Sequence, residues 1–192
     1  ILKRPDSYVG STSRSKDAYW ILNKDGTKFD QKNITYSPAL LKIFDEILVN
    51  AIDRNSVYPK DVKTINVAAD LELGVISVEN NGPLGGICIQ KQLTFGHLLT
   101  STNYDDNKQR VVGGRNGYGA KLTNIYSSLF QVTIHDSENK VKYVQQWTNN
   151  MTTCGEAKIT KYSGATSKVS IAFVPDWKRF GMTKMDKDFF SI

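Results

Sequence analysis

The sequence predicts an α+β domain, a two-layer α/β sandwich with helices on one face of a mixed, mainly antiparallel sheet. Two observations carry this. The strongest helical pattern stands early, at 38–53, whereas the second half alternates apolar and polar residues at Phe130–His135, Val141–Trp147, Ala157–Tyr162 and Val169–Val174. Helices early and a run of strands late fit a layered α+β arrangement better than alternating parallel βαβ units. A length of 192 residues suits one domain with one core, so residues 1–192 are read as a single unit.

Residues 1–36 are mixed and polar, with Arg4-Pro5-Asp6 and Lys24-Asp25-Gly26 as turn signals. Ser37 can cap the helix that follows, and Pro38 fits its first position, where a missing N–H costs nothing. Pro59 closes that segment. Val62–Ala69 and Val75–Asn80 alternate like strands, and Asp70-Leu71-Glu72-Leu73-Gly74 between them makes a hairpin. A Gly-rich loop occupies 82–86, a helix is expected at about 90–100, and the polar stretch Asn103–Arg110 leads to a second Gly-rich loop at 113–119. A short helix from Gly119 or Ala120 would hold Leu122, Ile125 and Tyr126.

Composition narrows the function classes. With 40% hydrophobic and 23% charged residues, the chain reads as an ordinary globular protein without a run of about 18 apolar residues to span a membrane. Cys88 and Cys154 are isolated and only His97 and His135 accompany them, so neither a zinc site nor a disulfide framework is expected, and a reducing, intracellular home is. The 25 Lys+Arg against 19 Asp+Glu give a net +6, which fits a polyanionic partner, nucleotide or DNA, and fits an ordinary solvated surface too. The chain does not begin with Met and stops at Asp188–Ile192 in what reads as the opening of another element, so an excised fragment is expected.

The helix at 38–53 is the most informative element. At 100° per residue, Glu46, Asn50 and Asp53 fall within about 60° of one another. Leu40, Ile43, Phe44, Ile47, Leu48, Ala51 and Ile52 fill nearly every other direction. A helix apolar nearly all round is expected to be buried between layers, with its narrow polar stripe lining a cavity. The other reading makes that stripe a solvated edge with a Lys42–Glu46 pair, although Lys preceding Glu is the poorer orientation.

Asn80 ends a strand on the parity of Ile76 and Val78, where an amide at the lip of an apolar face can read the edge of a heterocycle. Asn80-Asn81-Gly82-Pro83 is also good turn chemistry, and taken alone that is the commoner explanation. In Gly113-Gly114-Arg115-Asn116-Gly117-Tyr118-Gly119-Ala120-Lys121, four glycines in seven residues let backbone N–H groups approach an anion, and the helix behind them adds its positive end. By itself such a loop is more often a flexible connection, and a lone Lys121 more often solvated. The pattern is neither G-x-x-x-x-G-K-[ST] nor a G-x-G-x-x-G following a strand, which excludes a Walker loop and argues against a dinucleotide fold. Ser101-Thr102-Asn103 could bind a ribose or phosphate, or merely end a helix.

An E-x-x-x-N helix, then a strand running into N-x-G, then a Gly-rich loop resembles the ATPase superfamily of gyrase, heat-shock chaperones, histidine kinases and MutL. The resemblance is closest to type II topoisomerases of the eukaryotic kind. It rests on Leu2–Ser11 (LKRPDSYVGS), Lys42–Ala51 (KIFDEILVNA), Leu98–Ser101 with Asn103–Asp106, and Gly113–Lys121. It implies the Bergerat-type (GHKL) fold and ATP with Mg²⁺ as cofactors. Glu46 would be the general base acting on the attacking water, Asn50 the Mg²⁺ ligand, and Asn80 the adenine contact. Ser101, Thr102 and Asn103 would touch ribose and phosphate, and Gly114, Arg115, Asn116, Gly117, Tyr118, Gly119, Ala120 and Lys121 would form a lid over the triphosphate. It also implies a homodimeric parent enzyme in which closure of two such domains drives passage of duplex DNA.

Three departures from the family pattern stand out. The loop Asn80–Ile87 is one residue longer than N-N-G-x-G-I-P, with Cys88 in place of Pro. Arg54 replaces the usual Asn after Ala-x-Asp, as surface drift or as a cation near the phosphates. No Q-T-K motif is present, whose lysine the family supplies from the next domain. The shortened stretch between Asn80 and Ser101 and the altered loops fit a large DNA virus; the intracellular home expected is a nucleus in a cellular organism, or the host cytoplasm for such a virus. The rival functions are a nucleotide-dependent dimerisation module with negligible hydrolysis, and a DNA-binding domain working through its basic surface.

Overall fold

Helix α1 (Pro38–Val57) starts as its sequence dictates, with Pro38 in the first turn and the Ser37 hydroxyl accepting from the Leu40 N–H. That hydroxyl also reaches back to the carbonyls of Ser11 and Thr12 (3.4 and 3.2 Å), tying the helix start to the N-terminal segment. A computed structural model of the chain describes residues 1–83 and 118–185. The expected helix at 90–100, Ser101–Asn103 and Gly113–Gly117 lie outside the described residues.

Among the described residues, seven strands form one sheet. They are β3 (Ile65–Asp70), β4 (Val75–Asn81), β5 (Ser127–Asp136), β6 (Val141–Thr148), β7 (Thr153–Cys154), β8 (Lys158–Lys161) and β9 (Lys168–Pro175). Their order is β3-β4-β9-β5-β6-β7, with β8 also pairing with β6, and each described ladder is antiparallel. The sequence assigned both partners of the β3–β4 hairpin and all four of the long late strand patterns. The hairpin turn is closed by the Asp70 carboxylate, which accepts from the N–H groups of Glu72 and Leu73, both at 2.9 Å.

Strand alternation sorts the sheet into two faces. Ile76 and Val78, Phe173 and Ile171, Phe130, Val132 and Ile134, and Tyr143 and Trp147 form one apolar face. Their register is consistent across the sheet, with Phe173 opposite both Ile76 and Phe130. Against this face pack α1, through Leu40, Ile43, Ile47 and Ala51, and the short helix α2 (Gly119–Ile125), through Leu122. Each fully buried Ile, Leu or Phe contributes about 1.5–3 kcal/mol. The opposite face is polar, with Gln131, Thr133, Gln146 and the Lys168–Glu79 pair (3.1 Å).

Two expectations need correction. Helix α1 is not buried all round: Leu41, Phe44 and Leu48 are half covered and Ile52 is 45% exposed. The helix lies on one side of the sheet, so Ala39, Leu40, Ile43, Ile47 and Ala51 are buried in the core, while Leu41, Phe44 and Leu48 only flank it. Residues 15–36, read as mixed and polar, form a two-stranded hairpin of β1 (Ser15–Leu22) and β2 (Phe29–Tyr36), outside the main sheet. No described helix is long and apolar enough to cross a membrane.

Candidate functional site

The polar stripe of α1 meets the start of α2. Helix α2 is laid across α1 by a buried hydrogen bond in which the Thr123 hydroxyl donates to the Ile43 carbonyl at 2.7 Å. Ser127 and Asn150 secure its far end, donating to the carbonyls of Thr123 (2.6 Å) and Ile125 (3.0 Å). This crossing brings Gly119 against the Glu46 side chain. A Cβ at 119 would overlap Glu46 Oε2 and lie 3.1 Å from the carboxyl carbon, so glycine is what admits the carboxylate.

Glu46 is thus held on two sides. Its other oxygen, Oε1, pairs with Lys42 Nζ at 2.6 Å, and the carboxylate holds the lysine above its usual pKa. The i,i+4 pair therefore forms despite its less favoured orientation, and it coexists with the Gly119 contact. Asn50 lies one turn further on, exposed, and its amide makes no hydrogen bond among the described residues. Such an amide can offer its oxygen to a cation. Mg²⁺ takes few protein ligands and fills its octahedron with phosphate and water oxygens, so a single amide oxygen fits it.

Lys121, which composition alone would leave in solvent, is only 1% exposed, and burial lowers its pKa. It stands in the first turn of α2, two residues after Gly119. Ala120 is buried and Tyr118 half buried against the core. Gly114, Arg115, Asn116 and Gly117, together with Ser101, Thr102 and Asn103, lie outside the described residues.

Asn80 points to the core side of β4, 7% exposed, on the parity of Ile76 and Val78. Its amide donates to the Asn81 carbonyl at 3.1 Å. The turn chemistry weighed against it belongs to its neighbour. Asn81 Oδ1 accepts from the N–H groups of Lys63 and Thr64, each at 2.8 Å, and its amide donates to the Asp61 carbonyl. Two adjacent asparagines thus divide the work, one facing the core and one holding the turn. Arg54 is not drifting on the surface either: it donates to the Pro83 carbonyl and lies over the Tyr58 ring, 5.2 Å from its centroid.

Comparison with known proteins follows the same outline. The chain is 48% identical over 198 aligned residues to DNA topoisomerase 2 of Penicillium chrysogenum, covering 98% of this chain and 12% of that protein. It is 45% identical to DNA topoisomerase 2 of Saccharomyces cerevisiae, covering 100% of this chain and 14% of the relative. The chain therefore spans about one-eighth of the length of the curated relatives it matches. The crystal structure of the ATPase region of Saccharomyces cerevisiae topoisomerase II superposes with a TM-score of 0.93 at 44% identity, covering 100% of this chain and 52% of that one. The 43K ATPase domain of Thermus thermophilus gyrase B shares the fold at a TM-score of 0.64 and 17% identity, over 98% of this chain and 41% of that one. No protein-family model matches.

Proposed function

We propose that this chain, which belongs to the ATPase regions of eukaryotic-type DNA topoisomerase II, binds ATP with Mg²⁺ where α1 meets α2 and carries the base for its hydrolysis. The observation that carries the reading is the seat of the Glu46 carboxylate against Gly119, which joins the helix of the base to the end of the Gly-rich loop. Phosphoryl transfer asks the protein for positioning and charge neutralisation more than for covalent chemistry. Glu46 would orient the attacking water and take its proton. Asn50, one turn away, would hold the metal ion, which neutralises phosphate charge when bound. Buried Lys121 would bring its ammonium to the phosphate side, and Asn80 would offer its amide to adenine. Ser101, Thr102 and Asn103 would contact ribose and phosphate, and Gly114–Lys121 would cover the triphosphate.

In the whole protein, nucleotide binding would close two such domains into a dimer and drive one DNA duplex through a break in another. An intracellular setting accompanies this reading, nuclear in a cellular organism and cytoplasmic for a virus. A second reading has an observation of its own. The chain covers 52% of the yeast ATPase region, and the family resemblance places the γ-phosphate lysine in the next domain. The chain alone would then bind nucleotide and dimerise while turning it over negligibly.

The test is Glu46→Ala in the full-length enzyme. Nucleotide binding should persist while hydrolysis is lost. Undiminished hydrolysis would remove Glu46 as the base.

A further inference from the structure

Arg54 follows Asn50 by one turn of α1, on the flank between the polar stripe and buried Ala51. Its guanidinium points at the segment leaving β4, where Nη2 donates to the Pro83 carbonyl, and it lies over the Tyr58 ring. This placement is costly. Burial lowers the arginine pKa, and Nε is buried without an acceptor among the described residues. A cation that merely decorated a surface would stay hydrated instead.

Among the described residues, the segment it grips is otherwise tied within the plane of the sheet, on the β3 and β9 edges of β4. Asn81 Oδ1 brackets Lys63 and Thr64, and the Gly82 N–H donates to the Ser167 carbonyl at 3.0 Å. Gly82 adopts φ +114°, and a Cβ there would come within 2.7 Å of Val62 Cγ2. The ties from 61–64 and from Ser167 thus hold the turn at the two edges of β4. Arg54 supplies a tie from α1, and the buried Asn80 amide stands at the head of the segment so held.

We infer that Arg54 is a positioning residue for recognition of the nucleotide base, holding Asn80–Pro83 against α1 so that the Asn80 amide keeps its place, and that it makes no phosphate contact. This rests on the proposed reading of Asn80 as the adenine contact. The two roles separate by chemistry. A cation on phosphate strengthens adenine and guanine nucleotides alike, whereas a tie on the base-side segment strengthens only the base that the segment reads.

The experiment is calorimetric titration of the chain with the imido analogues of ATP and GTP in the presence of Mg²⁺, using wild type, Arg54→Gln, Arg54→Lys and Tyr58→Leu. Amide hydrogen exchange at Asn81 and Gly82 is followed without ligand. Wild type should prefer the adenine analogue. Arg54→Gln should weaken it about tenfold, the worth of one hydrogen bond to a charged group, and leave the guanine analogue unchanged. Arg54→Lys, which keeps the charge but loses the guanidinium fork, should recover only part. Tyr58→Leu, which keeps the arginine and removes the ring beneath it, should repeat the pattern at smaller size. Exchange at Asn81 and Gly82 should quicken in all three variants. Equal weakening of both analogues, full recovery by lysine, or unchanged affinity and exchange would each overturn the proposal. A wild type that binds both analogues equally would instead sink the reading of Asn80, and one that binds neither would sink the nucleotide site itself.

Discussion

A Cβ at Gly119 would overlap the Glu46 carboxylate, so no side chain fits at 119 while that carboxylate stays in place. The contact joins two residues far apart in sequence through a helix crossing that Thr123 fixes from the other side. A site made this way depends on the size of one residue as much as on the chemistry of another.

Gly119→Ala separates those two requirements. Gly119 is the first residue of α2, where alanine suits the backbone and would stabilise the helix by up to about 1 kcal/mol. Its methyl group nevertheless displaces the carboxylate. The thermal midpoint should hold or rise, while ATP turnover, measured in the whole protein, should fall about 100-fold, the usual scale for a 1 Å misplacement of a reacting group. Turnover equal to wild type would mean that Glu46 does not act from this seat.

The helix crossing has its own test in Thr123→Val. The substitution keeps the shape of the side chain and removes the donor to Ile43, leaving a buried carbonyl without that partner. Urea unfolding should show a loss of about 1 kcal/mol. Thr123→Ser, which retains the hydroxyl, should lose less. Equal losses in the two variants would assign the effect to packing rather than to the hydrogen bond.

Much of this architecture is legible in the sequence where one face of an element is buried. Ile76 and Val78, Phe130 to Ile134 and Val169 to Phe173 alternate because the sheet has one apolar face, and that period can be read directly. The β1–β2 hairpin gives no such signal. Only Ile21 and Ile34 are buried there, and the unbroken run Ala18–Leu22 leaves Trp20 and Leu22 67% and 50% exposed, so apolar residues do not alternate with polar ones. In α1 the apolar residues outnumber those the single sheet can cover, so reading burial on every side from composition went too far at Ile52.

The site was legible in its residue types and not in its contacts. Glu46 and Asn50 share a helical face by spacing alone, and Asn80 shares a strand face with Ile76 and Val78. The contact of Glu46 with Gly119, the burial of Lys121 and the grip of Arg54 on Pro83 all depend on how α1, α2 and β4 pack. No period along the chain encodes those distances. Asn81 could have been separated from Asn80 beforehand, since alternation sends neighbours to opposite faces and leaves Asn81 free to serve the turn.

Stability at low pH should depend on Asp136. Burial pushes its carboxyl pKa up, but the Asn139 amide and the N–H groups of Asn139 and Glu138 outweigh that and hold it below its usual value. A carboxylate with a depressed folded-state pKa contributes stability above its unfolded value, about 3.9, and loses it as the pH falls through the folded value. Asp136→Asn should therefore lower stability at pH 7 by about 1–3 kcal/mol, with the gap to wild type closing below about pH 4. Denaturant titrations across that range check it, and a gap that stays constant with pH would contradict the assignment.

The most direct test of the nucleotide site is calorimetric titration of a non-hydrolysable ATP analogue into the chain, with and without Mg²⁺, in wild type and Asn50→Ala. Asn50 is exposed, so its substitution should leave the fold intact. Wild type should bind in a Mg²⁺-dependent way, and Asn50→Ala should lose that binding. Binding equally strong in the variant would contradict the place given to the metal ion, and a folded wild type that takes up no analogue would contradict the site.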